Sequence, residues 1–230
     1  MGRRGVSRTI RSVFVKICGV TSEEDALLAV AMDADAVGFI FAPSTRQIAP
    51  QAARDIARRL PAEALTVGVF RDEAPERVVS IVNEAGLRGA QLSGHESAEA
   101  TRYVAARVPF VIKAFSADDP ALARAGEYGA KVILLDGARP GSGETWDWSL
   151  ADAVPDGVRL LLAGGLTPEN VADAVQAVRP WGVDAASGTE RSPGRKDPRK
   201  VRLFVANARA AAPDPAPGPD AAPYDWIDDT

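Results

Sequence analysis

VRLLLAGGLTPENVADAVQAVRPWGVDAASG, residues 158 to 188, holds two short apolar runs joined by one amphipathic stretch. VRLLLAGG (158–165) and WGVDAASG (181–188) read as buried strands, and TPENVADAVQAV (167–178) reads as the helix between them, opening on a threonine with a first-turn proline. A helical crossover returns the chain in the direction it left, so the two strands must run parallel. The same alternation fills the upstream sequence. Further strand candidates are VFVKIC (13–18), ADAVGFIF (34–41), LTVGVF (65–70), RGAQL (88–92), FVIKAF (110–115) and KVILLD (131–136). Helix patterns lie between and after the strands, among them SEEDALLAVAMDA (22–34), PQAARDIARRL (50–60), APERVVSIVNEAG (74–86) and DPRKVRLFVANARA (197–210). Eight such units in about 200 residues predict an α/β fold, a single (β/α)8 TIM barrel with a closed parallel sheet, over residues 13–210. A doubly wound open sheet is the competing arrangement, but no GxGxxG follows the first strand.

Outside that span, residues 1–12 are expected to be a flexible basic extension. Residues 211–230, rich in Pro, Ala and Asp, are expected to be a disordered tail. With 230 residues, 46% of them apolar, the chain can bury a sizeable core. Its 27 basic and 31 acidic residues give a formal charge of −4, and the basic ones are scattered, which speaks against nucleic acid or an anionic membrane as partner. One cysteine excludes an intrachain disulfide, and beside one histidine it cannot complete a Cys/His zinc site. No apolar run approaches a membrane span, and no apolar signal core follows the first arginines. A reducing, cytoplasmic setting is therefore expected, with an organellar transit peptide as the alternative reading of the Arg-rich start.

In a barrel of this kind the chemistry sits where strands end and βα loops begin. Cys18, closing VFVKIC, falls there, and Lys16, two residues earlier, shares its face. On the last strand Asp184 points inward if Gly182 and Ala186 do, and closure makes the first and last strands neighbours. A Lys16–Asp184 pair beneath Cys18 is then expected. Its plain reading is neutralisation of two buried charges, and the plain reading of Cys18 is a small buried hydrophobe. Asp136 ends KVILLD after a run of apolar residues and could equally cap the following turn. Gly164 and Gly165 close the seventh strand, and Ser187 and Gly188 close the eighth. Loops after those two strands are the usual phosphate site of the fold, since glycine lets backbone N–H groups approach the oxygens.

Taken together, KICG, GFIFAPSTRQI, VGVF, the QL.G pattern, LLD with a later GSG and WDW, LAGGLTPENV and RPWGVDAASGTERSPGRKDPRKV resemble the phosphoribosylanthranilate isomerase family of tryptophan biosynthesis. The resemblance runs from about Val13 to Ala210. It implies a (β/α)8 barrel that performs an Amadori rearrangement on a small phosphosugar substrate without cofactor or metal, as a monomer or homodimer. It also implies residue roles: Asp136 as general acid, Cys18 as general base and Arg46 on the anthranilate carboxylate. The phosphate would rest on Gly164, Gly165, Ser187 and Gly188, with Gly143 of the sixth loop closing over the site. Free Asp and Cys titrate near about 3.9 and 8.5, so both must be tuned; desolvation is expected to raise Asp136 and the Lys16 ammonium to favour the Cys18 thiolate.

The chain departs from the family pattern in three places. Gln91, Leu92, Ser93 and Gly94 stand where the family usually reads QLHG, so serine replaces an active-site histidine, and His95 lies two positions on. Gly137 and PGSG (140–143) replace a serine and a GGTG-like loop, and Ala186 replaces a serine hydroxyl. These changes bear on rate and on the fit of the aromatic ring. Two other functions compete: a paralogue acting on a related phosphoribosyl compound, and a barrel that binds a phosphosugar without turnover.

Overall fold

Strand β1 (Phe14–Cys18) pairs in parallel with both β2 (Ala36–Ile40) and β8 (Gly182–Ala185), and this double pairing closes the sheet. In the computed structural model, which describes residues 13–137, 146–155 and 157–212, the intervening strands are β3 (Leu65–Phe70), β4 (Gly89–Leu92), β5 (Phe110–Ser116), β6 (Val132–Asp136) and β7 (Arg159–Leu162). They run in chain order around a closed, all-parallel barrel of eight strands. The strand alternation sorts each run into two cores. Phe14, Leu65, Val67, Phe110, Ile112, Val132, Leu134 and Leu161 fill the barrel itself. Val15, Ile17, Val37 and Phe39, one residue out of phase, face the helices with Val78, Val82, Val104, Val171 and Phe204. Each large aliphatic side chain buried this way stabilises the fold by roughly 1.5–3 kcal/mol relative to exposure. Trp181 stacks on Phe14 at 4.4 Å between ring centroids, at the N-terminal ends of β8 and β1.

The helices are α1 (Glu23–Ala31), α2 (Pro50–Ala57), α3 (Pro75–Ala85), α4 (Ala98–Ala105), α5 (Val171–Val178) and α6 (Pro198–Ala211). Ser22, Ser97 and Asp197 accept from backbone N–H groups of the first turns of α1, α4 and α6. Several elements differ from expectation. Helix α1 stops at Ala31, because Asp33 takes a left-handed φ of 70°. Thr167–Asn170 forms a side-chain-braced turn, Thr167 N–H donating to Asn170 Oδ1, so α5 begins only at Val171. After β5 and β6 the chain forms 3-10 turns, Pro120–Tyr128 and Trp148–Ala153, in place of α-helices. Beyond β8 lies an antiparallel hairpin that the apolar pattern does not mark, β9 (Glu190–Ser192) and β10 (Arg195–Lys196). The extension 1–12, residues 213–230 of the tail, and Gly143 lie outside the described residues.

Candidate active site

The parallel register of β1 on β8 sets Lys16 directly beside Asp184. Lys16 Nζ donates to Asp184 Oδ1 at 2.9 Å, with Lys16 wholly buried and Asp184 7% exposed. Cys18, 5% exposed, lies one residue pair above on the same face. Burial alone would lower the Lys16 ammonium, but Asp184 and the Cys18 thiolate outweigh it and hold its pKa above the ordinary lysine value. The Cys18 thiol feels opposing influences. Lys16 does pull its pKa down, yet burial, reinforced by the Asp184 charge, pushes harder, and the net shift is upward. The resting thiol is thus protonated more firmly than a free cysteine.

Across the barrel mouth, Asp136 at the end of β6 accepts from its neighbour Gly137 N–H at 2.8 Å. Gly164, at φ +88°, lies so close that a Cβ there would stand 2.6 Å from both Asp136 Oδ1 and Trp146 Nε1. Trp146 Nε1–H donates to Ala163 O at 2.9 Å, securing the end of β7. Gly165 O accepts from Asn170 Nδ2, which fixes the glycine turn. On the next loop a Cβ at Gly188 would stand 1.9 Å from Leu166 O, so the two small-residue loops pack backbone to backbone. Asp136, Gly164, Gly165, Asp184, Ala186 and Ser187 line one cleft. Two carboxylates therefore face a recess rimmed by close-approachable backbone, the arrangement an anionic ligand with a proton-transfer centre requires.

Arg46 lies across the end of β1, where a Cβ on Gly19 would stand 2.7 Å from its Cδ. It is not a loose loop arginine. Its Nε and Nη2 donate to the two oxygens of Glu190 at 2.8 and 2.9 Å, and this contact raises its pKa. Glu190 in turn meets Lys196, 1% exposed, whose Nζ also donates to Ala186 O at 2.9 Å. Burial lowers the Lys196 pKa against the opposing pull of Glu190 and Cys18. On the β4 side, Gln91 Nε2 donates to Ser93 Oγ at 3.0 Å. The His95 side chain is 87% exposed and lies beside Asp72, with its Nδ1 3.6 Å from Asp72 Oδ1.

Of the residues singled out from sequence, the structure brings Lys16, Cys18 and Asp184 together on one side, and Asp136, Gly164, Gly165 and Ser187 around the cleft. Gln91 and Ser93 pair with each other. Glu190, Lys196, Trp146 and Gly38 lie within the quoted motifs but were not singled out as site residues. The SPG turn between Glu190 and Lys196 is the one local signal that could have exposed the hairpin. Among the described residues no group of three or more His, Cys, Asp or Glu side chains is placed to hold a metal ion, and no helix is long and apolar enough to cross a membrane.

The family described as N-(5′-phosphoribosyl)anthranilate (PRA) isomerase matches residues 15–207. An N-(5′-phosphoribosyl)anthranilate isomerase of Desulforudis audaxviator is 47% identical over 204 residues, covering 86% of this chain and 98% of the relative. The crystal structure of phosphoribosyl anthranilate isomerase from Thermus thermophilus superposes with a TM-score of 0.81 at 45% identity, covering 86% of this chain and 99% of that one. A phosphoribosyl anthranilate isomerase solved in complex with reduced 1-(o-carboxyphenylamino)-1-deoxyribulose 5-phosphate gives 0.76 at 42% identity, with coverage of 86% and 99%.

Proposed function

The chain belongs to the N-(5′-phosphoribosyl)anthranilate isomerase family, and from that premise we propose that Asp136 and Cys18 serve as the acid and base of its reaction. That reaction is the Amadori rearrangement of N-(5-phosphoribosyl)anthranilate to 1-(o-carboxyphenylamino)-1-deoxyribulose 5-phosphate in tryptophan biosynthesis. Asp136, protonated, gives its proton to the ribose ring oxygen. The C1′–O bond breaks, and the nitrogen lone pair forms an iminium. The Cys18 thiolate then removes the C2′ proton, and those electrons form the C1′–C2′ double bond while neutralising the nitrogen. The enol O–H proton passes to the Asp136 carboxylate and C1′ takes the proton held by the Cys18 thiol, which leaves the ketone and restores both groups to their starting forms. No redox partner is consumed.

The raised Cys18 pKa makes the thiolate scarcer at neutral pH but a stronger base once formed. The iminium cation formed in the first step favours that thiolate beside it until it takes the C2′ proton. Arg46 receives the ring carboxylate, as its planar fork suits, and the Gly164, Gly165, Ser187 and Gly188 backbone receives the phosphate. One observation carries the reading: Asp136 and Asp184 face a single cleft with the glycine loops, and Asp184 holds the lysine beneath Cys18. The test is the fluorescence of phosphoribosylanthranilate mixed with purified protein. Catalysed loss of that signal with formation of the amino-ketose is expected. No turnover, or turnover only of a related phosphoribosyl compound, would contradict the assigned substrate.

A further inference from the structure

The hairpin β9–β10 is pinned on several sides. Lys196 N–H donates to Asp25 Oδ2 at 3.1 Å, Thr21 Oγ1 donates to Gly194 O at 2.6 Å, and Lys200 Nζ donates to Glu190 O at 2.8 Å. So anchored, it carries a carboxylate and an ammonium that are both nearly without solvent contact, at 6% and 1% exposure. Burying such groups is costly unless each is paired and bonded. Each of them reaches toward a different end of the proposed substrate site. Glu190 takes the Nε and Nη2 edge of Arg46, and among the described residues no hydrogen bond or ion pair engages Nη1. Lys196 Nζ joins Glu190 Oε1 at 3.4 Å, Thr189 Oγ1 at 3.3 Å and Ala186 O at 2.9 Å, the last being the residue before Ser187 in the glycine loop.

The charges decide what this arrangement can do. Arg46 with Glu190 alone would be a neutral pair, offering an incoming carboxylate little attraction. Lys196 shares the same carboxylate, so the three groups keep one net positive charge, in the low-dielectric setting where it counts most. A guanidinium already clamped along one edge also loses less rotamer freedom when its other edge engages a ligand.

We propose that Glu190 and Lys196 are positioning residues of the isomerase. Glu190 presents the Nη1 edge of Arg46 to the ring carboxylate, and Lys196 ties that clamp to the Ala186–Ser187 turn, so that the carboxylate and phosphate ends of the substrate are held at one spacing. This rests on the roles given above to Arg46 and to the glycine loops.

The test is equilibrium binding of two ligands to the whole protein: reduced 1-(o-carboxyphenylamino)-1-deoxyribulose 5-phosphate, which carries the carboxylate, and ribulose 5-phosphate, which lacks it. Glu190→Gln leaves the cluster more positive but frees Arg46 from its clamp, and the lost orientation should outweigh the added charge, weakening the first by about tenfold or more and the second by less than about twofold. Glu190→Asp, which keeps the charge opposite Lys196 but withdraws it from Arg46, should show the same selectivity and guards against a simple folding failure. In turnover, KM should rise more than kcat falls. Lys196→Met should weaken both ligands, because it releases both ends. Equal losses for the two ligands in the Glu190 variants, or unchanged binding in any of the three, would overturn the proposal. Binding needs no turnover. A wild type that binds both ligands with this pattern yet leaves phosphoribosylanthranilate unconverted contradicts the assigned function and not the positioning.

Discussion

At Cys18 two opposite charges act on one buried thiol: Lys16 pulls its pKa down, and burial and Asp184 push it up. The two neighbours can therefore be separated by the sign of their effect. The proposed base must be deprotonated in the free enzyme, which predicts that kcat/KM rises with pH through the Cys18 pKa. Lys16→Met removes the lowering charge and should move that ascending limb to higher pH, whereas Asp184→Asn removes a raising charge and should move it lower, each by about half to one unit. A pH–rate profile of each variant checks this; shifts of the same sign would place the limb on another group. The contact between Lys16 and Asp184 was legible in the sequence, because a two-residue strand period and barrel closure suffice to predict it. The direction of the thiol's shift was not. It depends on how deeply the rim is buried, which the packing of neighbouring strands decides. Arg46 was named for the proposed site only by the family resemblance, and its partner Glu190, 144 positions away, was not legible at all.

The strand ends act as fixed mounts, and the residues opposite them matter as much as those that react. Gly38 on β2 pairs with Cys18 across the sheet, and a Cβ there would stand 2.9 Å from Cys18 Sγ and 3.2 Å from Lys16 Nζ. Such contacts force one side chain to move. Gly38→Ala should thus lower kcat/KM by about ten- to a hundredfold while unfolding stays cooperative, since displacing a proton-transfer group by a fraction of an ångström is enough. Unchanged kcat/KM, measured beside the unfolding transition, would mean that Cys18 has more room than the structure gives it. In the sequence Gly38 reads as one small residue in ADAVGFIF, because the need for a missing side chain is visible only from the neighbouring strand. The hairpin β9–β10 is illegible for a related reason. Its strands are two and three residues long and polar, so no apolar alternation marks them, and their buried charges are matched by partners on other loops.

On the scale of the whole molecule, closure turns eight local strand ends into one site. The alternation of short apolar runs with amphipathic stretches was enough to predict the barrel, because parallel strands with helical crossovers have few ways to bury both faces. What it could not predict was where a helix gives way to a 3-10 turn. After β5 and β6 the barrel still needs a covering layer, and the shorter segments there supply it with Leu122, Ala125 and Ala151 packed on Phe115, Ile133 and Leu135. The closed ring also makes the central claim testable, since it sets Asp136 at the end of β6 and Cys18 at the end of β1 on the same rim. The decisive measurement is the rate of phosphoribosylanthranilate conversion by Cys18→Ala and Asp136→Asn beside the wild type, with the unfolding midpoint of each recorded. Loss of a positioned proton-transfer group predicts kcat at least about a hundredfold lower in both, at midpoints close to that of the wild type. Near-normal kcat in either folded variant would contradict the account.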